Sequence, residues 1–231
     1  MQLAIFDLDG TLLTGDSDTL WCRFLVEQGE IDDAQAERCA HAARAYAAGT
    51  VVPDEYGLVQ ASLLAGRSLA SLQPLRERFL AEVIRPRLPQ AARDLLQRHR
   101  ADGDTLLLTT ATSRVVSELT AADLGVDDYL CTELVWAGGL CTGALQGGAN
   151  MRLGKLERVR AWLAARGQPD SVLRRACFYS DSINDLALLS VVGRPLVVDP
   201  DVRLAATAMR KGWAVRNLHQ RPHLVDALAP A

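Results

Sequence analysis

Asp7, Asp9, Asp16 and Asp18 crowd the stretch LAIFDLDGTLLTGDSD, residues 3–18. An apolar strand that ends in two carboxylates two residues apart sets like charges on one side of the chain, and that arrangement calls for a cation between them. Two more polar clusters close apolar runs. Thr109, Thr110 and Thr112 follow LLL (106–108), and Ser180, Asp181 and Ser182 follow CFY (177–179), with Asp185 four residues beyond Asp181. Lys155 opens a helical stretch. Carboxylates around a cation suit a hard metal with oxygen ligands, and Mg²⁺ takes one or two of them together with phosphate oxygens and water. Hydroxyl, ammonium and backbone N–H groups at strand-to-helix turns suit a phosphoryl group. One carboxylate held on such a metal can attack phosphorus; a second, turned away, can protonate the leaving oxygen and later activate water.

These groups are distant in the chain, so the fold must gather them. LAIF (3–6) is apolar without alternation, as expected of a strand buried on both faces. Residues 16–88 then read as four helices, DTLWCRFLVEQG, DDAQAERCAHAARAYAAG, DEYGLVQASLLAG and LASLQPLRERFLAEVI, separated by Gly, Pro and acidic caps with no strand among them. After this insert, helices alternate with the strands DTLLLTTAT, ACFYS, PLVVD and WAV, and CTELVWAGGLCTGAL reads as a hairpin turning at Ala137-Gly138-Gly139. Such alternation means an α/β fold, a parallel sheet covered on both faces. Ligands of an open parallel sheet bind at the carboxyl ends of its strands, which is where the polar clusters fall.

Composition narrows the partners. The chain has 231 residues, is 49% hydrophobic and carries a formal net charge of −3, which argues against nucleic acid. The basic stretch RPRLPQAARDLLQRHR (85–100) has its apolar residues at helical spacing and reads as a solvated helix face. Cys22, Cys39, Cys131, Cys141 and Cys177 show no CxxC and suit free thiols in a reducing cytosol, in preference to a Cys131–Cys141 disulfide across the hairpin. No basic leader precedes the first apolar run, and no run approaches the ~20 apolar residues of a membrane span. The expectation is a cytoplasmic protein, monomer or homodimer, acting on a small molecule without nucleic acid or membrane. His41, His99, His219 and His223 form no cluster.

The whole constellation resembles the haloacid dehalogenase superfamily of phosphatases. DLDGTL (7–12) is similar to its DxDGT signature, Thr110 to the second motif, Lys155 to the third, and SDSINDLALL (180–189) to the fourth, in order and over the whole chain. The resemblance implies a Rossmann-like core from residues 1–15 and 89–231, and a helical cap from 16–88 like that of the branch that includes phosphoserine phosphatase. It implies Asp7 as nucleophile and metal ligand, and Asp9 as general acid/base with its backbone carbonyl on Mg²⁺. Thr110, Ala111, Lys155 and Asn184 would hold phosphate, Lys155 also keeping Asp7 ionised. Asp181 would bind the metal directly or through water, with Asp185 in support. Thr110-Ala111-Thr112 stands where phosphoserine enzymes usually have Ser-Gly-Gly, and Ser180-Asp181-Ser182 where Gly-Asp-Gly is common. With TGDSDTLWCRFL (14–25), these departures look closer to histidinol-phosphatase-like members.

At the entry to the cap, Asp16, Ser17 and Trp21 are candidates for the substrate mouth, Asp16 meeting a substrate amine; Asp16 or Ser17 would serve equally as a helix N-cap and Trp21 as core packing. Arg38 and Arg44 could grip a carboxylate, although solvent exposure suits them as well. The expected function is Mg²⁺-dependent hydrolysis of a small phosphomonoester, with an amine-bearing substrate such as histidinol phosphate or phosphoserine. A phosphotransferase would use the same groups. A receiver-like signalling module also places Asp, Thr/Ser and Lys around Mg²⁺, but Asp9 and the long insert speak against it.

Overall fold

A computed structural model describes residues 2–50 and 52–219. Along the chain run β1 (Leu3–Phe6), α1 (Ser17–Glu27), α2 (Asp33–Ala48), α3 (Pro53–Ser62) and α4 (Leu69–Arg78), which continues into a π-helical turn (Phe79–Ile84). Then come α5 (Gln90–Ala101), β2 (Thr105–Ser113), α6 (Arg114–Leu124), β3 (Asp128–Ala137), β4 (Leu140–Gln146) and α7 (Leu153–Ala165). The chain closes with β5 (Cys177–Ser180), α8 (Leu186–Leu189), β6 (Arg194–Val198), α9 (Val202–Lys211) and β7 (Ala214–Arg216). The strands form one seven-stranded sheet in the order β4-β3-β2-β1-β5-β6-β7, parallel except for β4. This is the α/β, Rossmann-like fold expected, with β1 at the centre.

Successive strand residues face opposite sides of the sheet. Ala4 and Phe6 of β1, Leu106 and Leu108 of β2, and Tyr179 of β5 enter one apolar cluster, whereas Leu3, Ile5, Leu107 and Phe178 enter the other. Trp21, Phe24 and Phe79 pack ring to ring, at 4.9–5.7 Å between centroids, and share the first cluster with Phe6. On the second face Leu156 and Trp162 of α7 and Leu204 of α9 close the core. Truncating a ring as buried as Phe79 would cost about 3–5 kcal/mol.

Local chemistry sets the ends of the elements. Asp16 caps α1 by accepting the Thr19 N–H at 2.7 Å, and Asp32 and Gln35 form a capping box on α2. Gly138 and Gly139, at φ 56° and 78°, make the tight β3–β4 turn that side chains would resist. Cys141 lies opposite Trp136, not Cys131, and all five cysteines are free. Among the described residues no helix is long and apolar enough to cross a membrane.

Candidate active site

At the carboxyl end of β1 the Lys155 ammonium lies 2.8 Å from Asp7 Oδ1 and 2.7 and 2.9 Å from the two Asp185 oxygens. The Ser180 hydroxyl donates to Asp185 Oδ2 at 2.7 Å, so both Asp185 oxygens are engaged. All three charged groups are buried. Burial alone would lower the Lys155 pKa, but the Asp185 and Asp7 charges outweigh it and leave the ammonium more firmly protonated than usual. Burial pushes Asp7 up to about 7, opposed by Lys155 and reinforced by repulsion from Asp185 and Asp9.

Two residues on, Asp9 has different company. Its Oδ1 accepts the Ser17 N–H at 2.7 Å, and its Oδ2 accepts the Thr112 and Thr110 hydroxyls at 2.9 and 3.2 Å. Burial, then the Asp16 charge, raises Asp9 to about 6 against these hydrogen bonds. The end of β2 that carries both threonines is irregular: its register with β3 shifts between Thr109 and Ser113. A bulge of this kind re-aims side chains. Asn150 fixes it by donating to the Thr110 carbonyl at 2.8 Å and to Thr109 Oγ1 at 3.0 Å, while Thr132 donates to the Ala111 carbonyl.

Asp181, after β5, faces the same end. The Thr11 hydroxyl lies 3.3 Å from Asp181 Oδ1 and 3.4 Å from Asp7 Oδ2, so the two carboxylates converge within the reach of one small group. Burial, then repulsion by Asp7, raises Asp181 well above the carboxylate range. Gly10, at φ 73°, passes so close that a Cβ there would collide with Asp181. Among the described residues no three Asp, Glu, His or Cys side chains gather as a metal cluster. Two carboxylates and backbone carbonyls are a donor set for a hard cation that completes its shell with water and phosphate.

Above the strand ends is an open cavity of about 380 Å³, lined among others by Asp9, Asp16, Asp181, Tyr46 and Tyr56. A narrow recess beneath it reaches Asp7, Asp18, Ala111, Lys155 and Asn184. Tyr46 of α2 and Tyr56 of α3 line both, their ring centroids 5.4 Å apart. Arg152 ties α2 to the core: its guanidinium donates to the Gly49 carbonyl at the end of that helix and to Asn184 Oδ1, both at 3.1 Å. Arg152 holds a φ of 53°, a strained value for a residue with a side chain, immediately before the helix of Lys155.

Of the residues singled out from sequence, Asp7, Asp9, Ala111, Lys155, Asp181, Asp185 and Asn184 line these cavities or contact each other there. Thr110 sits beneath Asp9, and Thr112, not Thr110, reaches the recess. Asp16 both caps α1 and lines the cavity. Ser17 is buried, with its N–H on Asp9 and its hydroxyl 2.9 Å from Thr112 Oγ1. Trp21 is away from both cavities, enclosed with Phe24 and Phe79 because α1 turns that face to the sheet. Arg44 is exposed on Glu37 and Arg38 is exposed. His223 lies outside the described residues. Sequence reasoning named Asp18 in the acidic stretch without giving it a role, and passed over Thr11, Tyr46, Tyr56 and Arg152. It also passed over His219, which links Thr14 Oγ1 at 2.7 Å with the Gly10 carbonyl at 2.9 Å. Thr11 stands inside DLDGTL and so carried a signal; the others depend on helix rotation and chain return.

Known proteins match this arrangement. Residues 4–190 match the haloacid dehalogenase-like hydrolase family. A histidinol-phosphatase of Neisseria meningitidis is 35% identical over 94% of this chain and 98% of its own length. A phosphoserine phosphatase of Mycobacterium tuberculosis is 31% identical over 93% of this chain and 70% of its own. Among solved structures, a Bordetella pertussis protein of unknown function superposes with a TM-score of 0.86 at 37% identity, covering 94% of this chain and 98% of that one. A phospho-aspartyl intermediate analogue of phosphoserine phosphatase shares the fold, with a TM-score of 0.66 at 15% identity over 98% of this chain and 97% of that one. With a site of this composition at the strand ends and a family match over most of its length, the chain belongs to the haloacid dehalogenase-like hydrolases, as a phosphatase of that family.

Proposed function

We propose that the protein hydrolyses the phosphomonoester of a small, amine-bearing metabolite with Mg²⁺, through an aspartyl-phosphate on Asp7. The observation that carries this reading is the contrast between two carboxylates two residues apart: Asp7 is held by an ammonium, Asp9 by one N–H and two hydroxyls. Neighbouring carboxyls in unlike environments divide the work of nucleophile and acid/base. Asp7 attacks phosphorus in line and the bond to the alcohol oxygen breaks, with Asp9 giving that oxygen its proton. Asp9 then takes a proton from water as the water oxygen attacks phosphorus, which frees Asp7 and inorganic phosphate. Lys155 offsets negative charge throughout, and Thr110, Ala111 and Asn184 hold the phosphoryl oxygens.

Mg²⁺ would be held by the Asp7 and Asp181 carboxylates and the Asp9 carbonyl, and would supply charge neutralisation at the transferring group. The convergence of two desolvated carboxylates on one hydroxyl fits this group, since Asp7 shares its one ammonium, Lys155, with Asp185, and Asp181 has no basic partner among the described residues. Asp185 steadies the set through Lys155. The helical segment 16–88 acts as the cap, which excludes bulk water when Tyr46 and Tyr56 close over the crevice. Histidinol phosphate and phosphoserine, the substrates in the names of the two relatives, are the first to try. The free thiols favour the cytoplasm.

Borohydride reduction of a turnover mixture, quenched in acid, tests the intermediate. An aspartyl-phosphate at Asp7 is reduced to homoserine there, identifiable by peptide mass spectrometry. Turnover with an unmodified Asp7 under conditions that trap a known acyl phosphate would refute it.

A further inference from the structure

The roof of the site carries a carboxyl group that the proposed reaction leaves unused. Asp18, in the first turn of α1, is 2% exposed and lines the recess, yet its Oδ1 has no hydrogen-bond partner among the described residues. Burial, then the Asp16 and Asp9 charges, raises its pKa well above the ordinary carboxylate value, against the Tyr56 and Thr112 hydroxyls that favour the ionised form. A carboxylate is welcome at a helix N-terminus, but that role needs no burial beneath a tyrosine, where solvent cannot pair it.

The surroundings determine which ligand would complete it. Asp9, Asp16, Asp181 and Asp201 line the cavity above, and among the described residues no Lys, Arg or His does. Asp201 is taken by the N–H groups of Ile183, Arg203 and Leu204. Lys155, the basic group in the recess, is taken by Asp7 and Asp185. Among the described lining residues, a substrate carboxylate would therefore meet acidic walls and no unpaired cation. An ammonium or imidazolium would meet a carboxylate oxygen in need of a partner, with two tyrosine rings flanking the passage, whose faces also attract cations.

We propose that Asp18, together with Asp16, Tyr46 and Tyr56, is the leaving-group subsite, and that it selects a phosphomonoester whose alcohol bears a protonated amine or imidazole and no carboxylate. The inference rests on the hydrolase reading above and adds to it the charge of the leaving group. The recess now holds only about 10 Å³, no more than one water needs, so the cation enters as Tyr46 and Tyr56 part. As it arrives, any proton on Asp18 leaves to solvent.

The test measures phosphate release in Mg²⁺ from ethyl phosphate, 2-aminoethyl phosphate and O-phosphoserine, which differ by one ammonium and then one carboxylate. Matched alkyl and aminoalkyl phosphates of three and four carbons cover reach, and p-nitrophenyl phosphate reports hydrolysis as such. For at least one length, kcat/KM of the amino ester should exceed its uncharged partner tenfold or more. The 2-aminoethyl ester should exceed phosphoserine tenfold or more. In Asp18→Asn the amino-to-alkyl ratio should collapse to about threefold or less, mainly through KM. Turnover with no preference for the ammonium, a preference for phosphoserine, or an unchanged ratio in Asp18→Asn overturns the inference. The wild-type ratios decide it even where the variant fails to fold. Absence of turnover on every ester, p-nitrophenyl phosphate included, overturns the hydrolase reading and this inference with it.

Discussion

The foot and the roof of the site are both buried and both acidic, but they are partnered in opposite ways. At the foot, Lys155 bridges Asp7 and Asp185, and Ser180 takes what remains of Asp185. At the roof, Asp18 keeps an oxygen without a partner among the described residues; the basic group that shares its recess, Lys155, is held by Asp7 and Asp185, and none of the described residues lining the cavity above is basic. Where charges meet within the protein, their positions are fixed before any ligand arrives, as a reaction common to many esters requires. Where a charge is left open, the missing partner belongs to the substrate, and specificity resides there. Substitutions at the foot should therefore strike kcat, and substitutions at the roof should strike KM and change stability in the opposite sense.

After Asp7→Asn, Asp9→Asn should give the largest effect among the variants that break this division, because it removes the proposed acid/base group and leaves the Ser17 and threonine contacts near their present geometry. Steady-state kinetics should show kcat lower by about 10²–10⁴-fold with KM little changed. A rise in KM with kcat preserved would place Asp9 with the roof. Lys155→Met follows. Two buried carboxylates lose their counter-charge, so kcat should fall about 10²–10³-fold. Denaturant unfolding should show a loss of about 3–5 kcal/mol, the cost of breaking a buried ion pair from one side. An unchanged midpoint would mean that the pair is not what fixes the foot.

The smallest effect has the opposite sign. Replacing the unpartnered Asp18 carboxyl in Asp18→Asn should stabilise the ligand-free protein at pH 7.5 by about 1 kcal/mol, or about 2–4 °C in Tm. The raised Asp18 pKa means the folded chain holds a proton that the unfolded chain releases near the ordinary value of 3.8. Wild type therefore loses stability from this group as pH rises above about 4, whereas the asparagine variant does not. The Tm difference should be near zero at pH 4 and widen toward neutral pH. A difference that is constant with pH would show that Asp18 titrates no differently on folding.

Much of this architecture could be read before any coordinates. The continuous apolar runs of β1 and β5 have no polar face, so both sides had to be covered, and a parallel sheet brings their carboxyl ends together. That alone gathers Asp7, Asp9 and Asp181 at one edge. The caps and glycines of residues 16–88 likewise mark helices close to those found. What the sequence withheld is rotation and return. Trp21 and Asp18 lie three residues apart on α1, yet one faces the aromatic core and the other the recess. Thr110 and Thr112 exchange prominence at a register shift with no sequence signature. Arg152 and His219 reach the site from elements whose placement depends on the finished packing.

Phosphate release by Asp7→Asn, measured in Mg²⁺ on the best ester of the wild type, tests the central claim most directly. The substitution keeps the size of the side chain and removes the proposed nucleophile, the carboxylate facing Lys155. With the cooperative unfolding transition retained, kcat/KM should fall by at least about 10⁴-fold, since no second group can take the phosphoryl. Turnover within tenfold of wild type would contradict an aspartyl-phosphate on Asp7, and with it the division of labour between Asp7 and Asp9.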